Sequence, residues 1–306
     1  MADALLTVTS LVLVIVLGFV IAHIIKVPRG FTDMLSKIVF NITIPCAIFH
    51  AFALAQFDLW LLILAGLGLA TTFIPWLIGT VIVRNEEYTR RVFMMMNISG
   101  FNIGSFVLPF AQMVFPAGSV LYVCLFDAGN ALMMSGGVYA FSSAILNKGA
   151  THSERVKLAL KRLFSSVPFD LYIIFIILAI LHLQVPSFLV TLVEPVSNAN
   201  AFLAMLMLGM MVNFSIDKTK MGQLVRLLGL RFGLSALMSV AIFFMPLPLD
   251  MSIRIIIIAI LWSPIGALGP VFTMWAKGDV GLAGFANVIS VIVGVAAMTV
   301  AAVMLA

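Results

Sequence analysis

The sequence predicts an all-α polytopic membrane protein with ten transmembrane helices in two inverted five-helix repeats, helices four and nine being broken where they cross. Three observations lead there. First, 63% of the 306 residues are hydrophobic and 9% are charged, with a mean hydropathy of +1.21. A soluble domain runs near 45–50% apolar and about 25% charged. Second, apolar stretches long enough to cross a bilayer recur along the whole chain. Third, Gly and Pro interrupt the fourth and the ninth stretch at corresponding places.

Composition also excludes other classes. A soluble enzyme, a nucleic-acid module or a disordered chain would need far more polar surface. The net charge of +5 fits cytoplasmic loop charge in a membrane protein. Cys46 and Cys124 lie inside apolar runs and read as small packed hydrophobes, with no metal or disulfide framework.

A crossing helix needs about 20 apolar residues. The stretches fall at roughly 4–25, 34–56, 58–82, 92–115, 119–146, 168–184, 188–214, 224–245, 250–274 and 280–304. The first, MADALLTVTS onward, lacks a basic leader region and a cleavage site, so it reads as a retained helix. Of the 17 basic residues, 16 fall on odd-numbered connections: Lys26, Arg29 and Lys37; Arg84, Arg90 and Arg91; Lys148, Arg155, Lys157, Lys161 and Arg162; Lys218, Lys220, Arg226 and Arg231; and Lys277. Arg254, near the outer end of span nine, is the exception and reads as snorkelling to the headgroups. The bias places odd connections in the cytoplasm and both termini outside.

The longest polar connector, NKGATHSERVKLALKR, lies near the midpoint. It separates residues 1–146, a first five-helix repeat, from residues 168–306, a second one, with 147–167 as the cytoplasmic connector. Five is odd, so the second half enters the membrane from the opposite side, and any repeat is inverted. Two echoes support it. The Ile-Gly pairs of Asn102-Ile-Gly-Ser-Phe-Val-Leu-Pro109 and Ser263-Pro264-Ile-Gly266-Ala-Leu-Gly-Pro270 are 162 residues apart, and Asn41 and Asn198 are 157 apart.

A proline has no N–H and clashes with the preceding turn, so the chain is expected to break and restart at Pro109 and at Pro264 or Pro270. Each restart leaves free N–H groups and a partial positive charge, and each preceding half-helix leaves free carbonyls. The centre then offers an anion site, with a cation site beside it. No Lys or Arg falls in the middle of a span on this count. An anion would be held by helix ends, by the amides of Asn41, Asn97, Asn102, Asn130, Asn198 and Asn200, and by Ser99, Ser105 and Ser263. Such groups also bond neighbouring helices in many membrane proteins. Asp127 and Asn130, three apart on one face of span five, are the candidates for holding a proton or a sodium ion, with a structural acid as the alternative. Glu194 reads as an interfacial acid, His50 as packed, and the clustered methionines as gap-fillers ahead of a copper path. No P-loop, Gly-x-Ser-x-Gly or His-Glu-x-x-His motif supports an enzyme. A channel suits closely packed midplane breaks less well than alternating access does.

Several segments resemble the auxin efflux carrier family, which includes plant PIN-formed carriers and bacterial malonate-type transporters. They are VFNITIPCAIF, NISGFNIGSFVLPFAQMVF, SNANAFLAMLMLGM and SPIGALGPVFTMWAKGDVGLAGFANVISVIVG. The resemblance covers the whole chain. It implies a fold similar to bile acid:sodium symporters, crossed broken helices four and nine, elevator movement against helices one, two, six and seven, and a homodimer in the cell membrane. It implies a small organic anion as substrate, a carboxylate or dicarboxylate of auxin-like or malonate-like kind. By position it places the crossover prolines at Pro109 and at Pro270 or Pro264, and the crossover asparagine at Asn102. Span seven has Asn198-Ala-Asn200 without the proline that span two has at Pro45. Asn41, Pro45, Asn102, Gly104, Pro109, Asn198, Asn200, Ser263, Pro264, Gly266 and Pro270 are the expected substrate-binding positions. No resident cofactor is expected.

Overall fold

The computed structural model describes residues 2–25, 27–54, 59–116, 118–146, 166–212 and 218–305. Residues 147–165 of the expected connector (147–167), with its five basic residues, lie outside them, as do Lys26, Gln56 and Asp58.

Helix α1 (Ala2–Val20) runs into a π turn, Ile21–Ile25. Helices α2 (Arg29–Ile38) and α3 (Ile44–Leu54) are joined through a π turn, Val39–Thr43. Helix α4 (Ile63–Ile82) precedes α5 (Tyr88–Asn97). A π turn, Ile103–Val107, leads into α6 (Leu108–Met113). Helices α7 (Ser119–Leu132) and α8 (Val138–Leu146) are joined through another π turn, Met133–Gly137. Then come α9 (Val167–Ile180), α10 (Ser187–Met211), α11 (Met221–Phe244), α12 (Met251–Leu261), α13 (Gly269–Trp275) and α14 (Val280–Leu305).

Among the described residues, seven helices are long and apolar enough to cross a membrane, and Ile103–Met113, Val167–Ile180 and Met251–Leu261 are shorter apolar helices. At 1.5 Å per residue, α9 spans about 21 Å, less than a bilayer core of about 30 Å. Leu6, Leu13, Leu192, Leu237 and Phe244 all project outward from the helices. Such a coat suits hydrocarbon rather than water.

Two prolines expected to disturb helices are absorbed. Pro45 and Pro109 each lie two residues beyond a π turn. The wider turn draws the carbonyl four residues back away from the proline ring, and the helix continues. The fourth stretch therefore does not break at Pro109. Its interruption is at residues 98–102, before the chain restarts at Ile103. Gly100 makes that turn with φ +83°, a conformation that side chains disfavour. A Cβ there would also lie 1.8 Å from the Met134 sulfur. The ninth stretch is interrupted over residues 262–268. Pro264 lies in that linker, and Pro270 begins α13 where its missing N–H costs nothing.

The charge count also needs correction. Arg226 and Arg231 lie inside α11, not in a loop. Arg226 pairs with Glu86. Arg231 is 2% exposed, so a cation does occupy the middle of an apolar helix. Arg254 is tied to backbone. Its guanidinium donates to the carbonyls of Ile242, Phe243, Met245, Leu247 and Leu249, closing the α11–α12 hairpin.

The densest packing joins α1 to α10, α10 to α3, and α4 to α7, and α9 also packs on α3. Helix α11 packs on α12, α12 and α13 on α14, and α5 on α13, while α6 lies against both α7 and α10. Helices α4 and α7 approach closely at Gly68 and Gly129. A Cβ on Gly68 would lie 2.0 Å from the Phe126 carbonyl oxygen, and one on Gly129 would lie 1.8 Å from that of Ala65. Small residues let the two backbones meet, which replaces the hydrophobic drive that lipid does not supply. Gly129→Leu forces α4 and α7 apart and is expected to lower stability by about 2 kcal/mol or more. Gly66→Ala, which meets nothing within 4 Å, serves as the control and leaves the thermal midpoint in detergent unchanged or slightly higher.

Candidate functional site

The two interruptions meet. Phe101 and Ile265 pair as an isolated antiparallel bridge, and the Asn102 N–H donates to the Pro264 carbonyl at 3.0 Å. Unwound backbone in an apolar interior must find partners, at a cost of about 1–3 kcal/mol for each group left without one. In both linkers the residue that forms the bridge is held by the span that follows. Asn130 on α7 accepts from the Phe101 N–H at 3.1 Å and donates to the Phe101 carbonyl at 3.2 Å. On α14, Ser290 accepts from the Ile265 N–H at 3.0 Å, and Asn287 donates to the Ile265 carbonyl at 2.8 Å.

Arg231 joins the same place from α11. Its Nη1 donates to the Ile98 carbonyl at 3.0 Å. Its Nη2 donates to the carbonyls of Gly100 (2.9 Å), Ser263 (3.1 Å) and Pro264 (3.2 Å). The Phe101 ring centroid lies 5.3 Å from its guanidinium carbon. Among the described residues no carboxylate is bonded to it.

Around this cation sit polar atoms without hydrogen-bond partners: Ser99 Oγ, Asn102 Nδ2, Ser263 Oγ and Arg231 Nε. The four residues are 4% exposed or less. Asn102 presents its amide as a donor because its Oδ1 accepts from the Ser105 hydroxyl at 2.5 Å. The helix that begins at Ile103 adds the partial positive charge of its N-terminus.

The expected positions divide. Asn102, Ser263, Pro264 and Gly266 lie at the junction, with Gly266 and Gly100 both against Met134. Gly104 packs on Ile44, next to the buried Pro45. Pro109 lies farther along its helix, and Pro270 starts α13. Asn41 is exposed and bonds the Lys37 carbonyl of its own helix at 2.9 Å. Asn198 is exposed as well. Asn200 belongs to a second network. It accepts from the Thr43 hydroxyl at 3.0 Å and donates to Gln112 at 2.9 Å, and Gln112 reaches the Ser197 carbonyl at 3.2 Å.

Asp127 accepts from Asn130 at 2.8 Å and from the Tyr172 hydroxyl of α9 at 2.7 Å. Asn130 also accepts from Thr72 at 3.3 Å. Its two donors and two acceptor positions are therefore all occupied by protein groups. Among the described residues no cluster of His, Cys, Asp and Glu could hold a metal ion.

Arg231, Asn287 and Ser290 were not among the expected site residues. The signal for Arg231 was its placement inside Leu-Leu-Gly-Leu-Arg-Phe-Gly-Leu. Asn287 and Ser290, three apart in span ten, repeat the spacing of Asp127 and Asn130 in span five. Asn130→Ala strips both partners from Phe101 and is expected to cost about 2 kcal/mol or more. Asn287→Ala costs less because Ser290 still holds the Ile265 N–H, and Thr72→Val costs least. Denaturant or thermal unfolding in detergent should return that order.

The family model for membrane transport proteins matches residues 3–164, just over half of the chain. No match was found among curated proteins. The chain therefore belongs to the membrane transport protein family, the group of the auxin efflux carriers and malonate-type transporters, and is a multi-pass membrane protein.

Proposed function

We propose that the chain is a secondary transporter or uniporter that moves a small organic anion, a carboxylate or dicarboxylate of auxin-like or malonate-like kind, across the cell membrane. The observation that carries this reading is the buried, carboxylate-free Arg231 among unpartnered donors. A lone buried cation is costly unless an anion joins it, and Ser99, Asn102 and Ser263 offer neutral donors to the same guest. The family is one of carriers rather than enzymes.

The proposed architecture has ten crossing helices in inverted repeats of residues 1–146 and 168–306, joined by a cytoplasmic connector, with both termini outside. The matched grip of Asn130 on Phe101 and of Asn287 with Ser290 on Ile265 supports two related halves. The dense packing of α10 with α1 and α3, and of α9 with α3, supports spans one, two, six and seven as the scaffold of an elevator, with the junction proposed on the moving part. The homodimer rests on the family resemblance. Asp127 is the group proposed to carry a coupling proton, since its bonds reach the scaffold helix α9 through Tyr172 and the junction through Asn130.

Counterflow of labelled carboxylates in liposomes tests the reading. Asn102→Ala and Ser263→Ala, each removing a donor worth about 1 kcal/mol, are expected to lower uptake about fivefold each and roughly 25-fold in the double variant. Folded variants that match the wild type reject the site. For Asp127, an inward proton gradient should accelerate wild-type uptake and leave a folded Asp127→Asn variant unresponsive. Equal acceleration in both removes Asp127 from coupling.

A further inference from the structure

Carbonyl oxygens that end helix segments are natural ligands for a small cation. The junction gathers four of them, from Ile98 and Gly100 in one interrupted stretch and from Ser263 and Pro264 in the other. Each accepts a hydrogen bond from Arg231, which comes from the uninterrupted α11. We infer that Arg231 fills the cation position of this junction, so that a covalently attached guanidinium stands where an exchangeable sodium ion would otherwise bind.

The geometry separates this from an ordinary helix cap. Arg254 gathers carbonyls from one contiguous stretch, residues 242–249, and is only part-buried. Arg231 bridges two stretches that are far apart in sequence, is buried, and keeps Nε free. The flat guanidinium fork suits the task, because it reaches several acceptors in fixed directions while a lysine ammonium is a compact point charge. The chemistry of the vacancy left without Arg231 is a set of neutral oxygens, the ligands that hard monovalent cations take. For transport, and resting there on the carrier reading, the junction then needs no sodium to cohere. The empty site carries one positive charge that a monocarboxylate neutralises.

The test is thermal unfolding of the full chain in detergent, in sodium chloride and in choline chloride at equal ionic strength. The wild type is expected to unfold at the same temperature in both. Arg231→Ala is expected to be less stable in choline and to recover by about 3 °C or more in sodium, or in low millimolar guanidinium. Arg231→Met, which fills the space with an apolar chain, should show no recovery. That contrast separates an emptied cation site from a simple loss of packing. A wild type that sodium stabilises over choline overturns the inference. So does a folded Arg231→Ala that responds to neither cation. If the alanine variant does not fold, the wild type and Arg231→Lys decide, both expected to ignore sodium; sodium dependence in either overturns it. Failure of every carboxylate in counterflow would reject the proposed substrate class while leaving this reading intact.

Discussion

Backbone polarity inside an apolar interior is the constraint from which this structure follows. A helix that stops in mid-span exposes amides and carbonyls that lipid cannot satisfy. The chain answers with three devices at one place. The two linkers pair with each other at Phe101 and Ile265, side chains of α7 and α14 hold the linker backbones, and Arg231 collects the stranded carbonyls. Partners left over after this accounting, Ser99 Oγ, Asn102 Nδ2 and Ser263 Oγ, are donors with nothing to donate to. Function is proposed where the accounting does not close.

The same constraint links the proposed scaffold helices to spans four and five through side-chain hydrogen bonds. Tyr172 of α9 reaches Asp127, and Gln112 of α6 joins Asn200 and Ser197 of α10. Both run from α9 and α10 to spans four and five.

Much of this was legible in the sequence, for reasons that are themselves physical. Hydropathy found the helices because burial in lipid demands long apolar runs. The i, i+3 spacing of Asp127 and Asn130 became a hydrogen bond because helical geometry leaves those positions adjacent. Gly and Pro in stretches four and nine pointed to interruptions, but proline was credited with a break that Gly100 makes. The π turns before Pro45 and Pro109 hid from pattern reading, since a single wider turn leaves no period behind. Arg231 was missed for a different reason. Counting positive charges treats every arginine near a span end as loop, and only the course of α11 shows that this one is eleven residues inside a helix. Asn287 carried only the spacing it shares with Ser290, and that spacing does not point to Ile265, twenty-two positions away, on which its role depends.

The clasp of Arg254 on the turn after α11 has a mechanical corollary. With five carbonyls gathered by one side chain, the turn behaves as a stiff elbow, so a tilt imposed on either arm is delivered to the other. Arg231 rides on one arm, and Ser263 and Pro264 follow the end of the second. If the junction moves as proposed, the guanidinium and the Ser263 and Pro264 oxygens travel together and keep their mutual spacing.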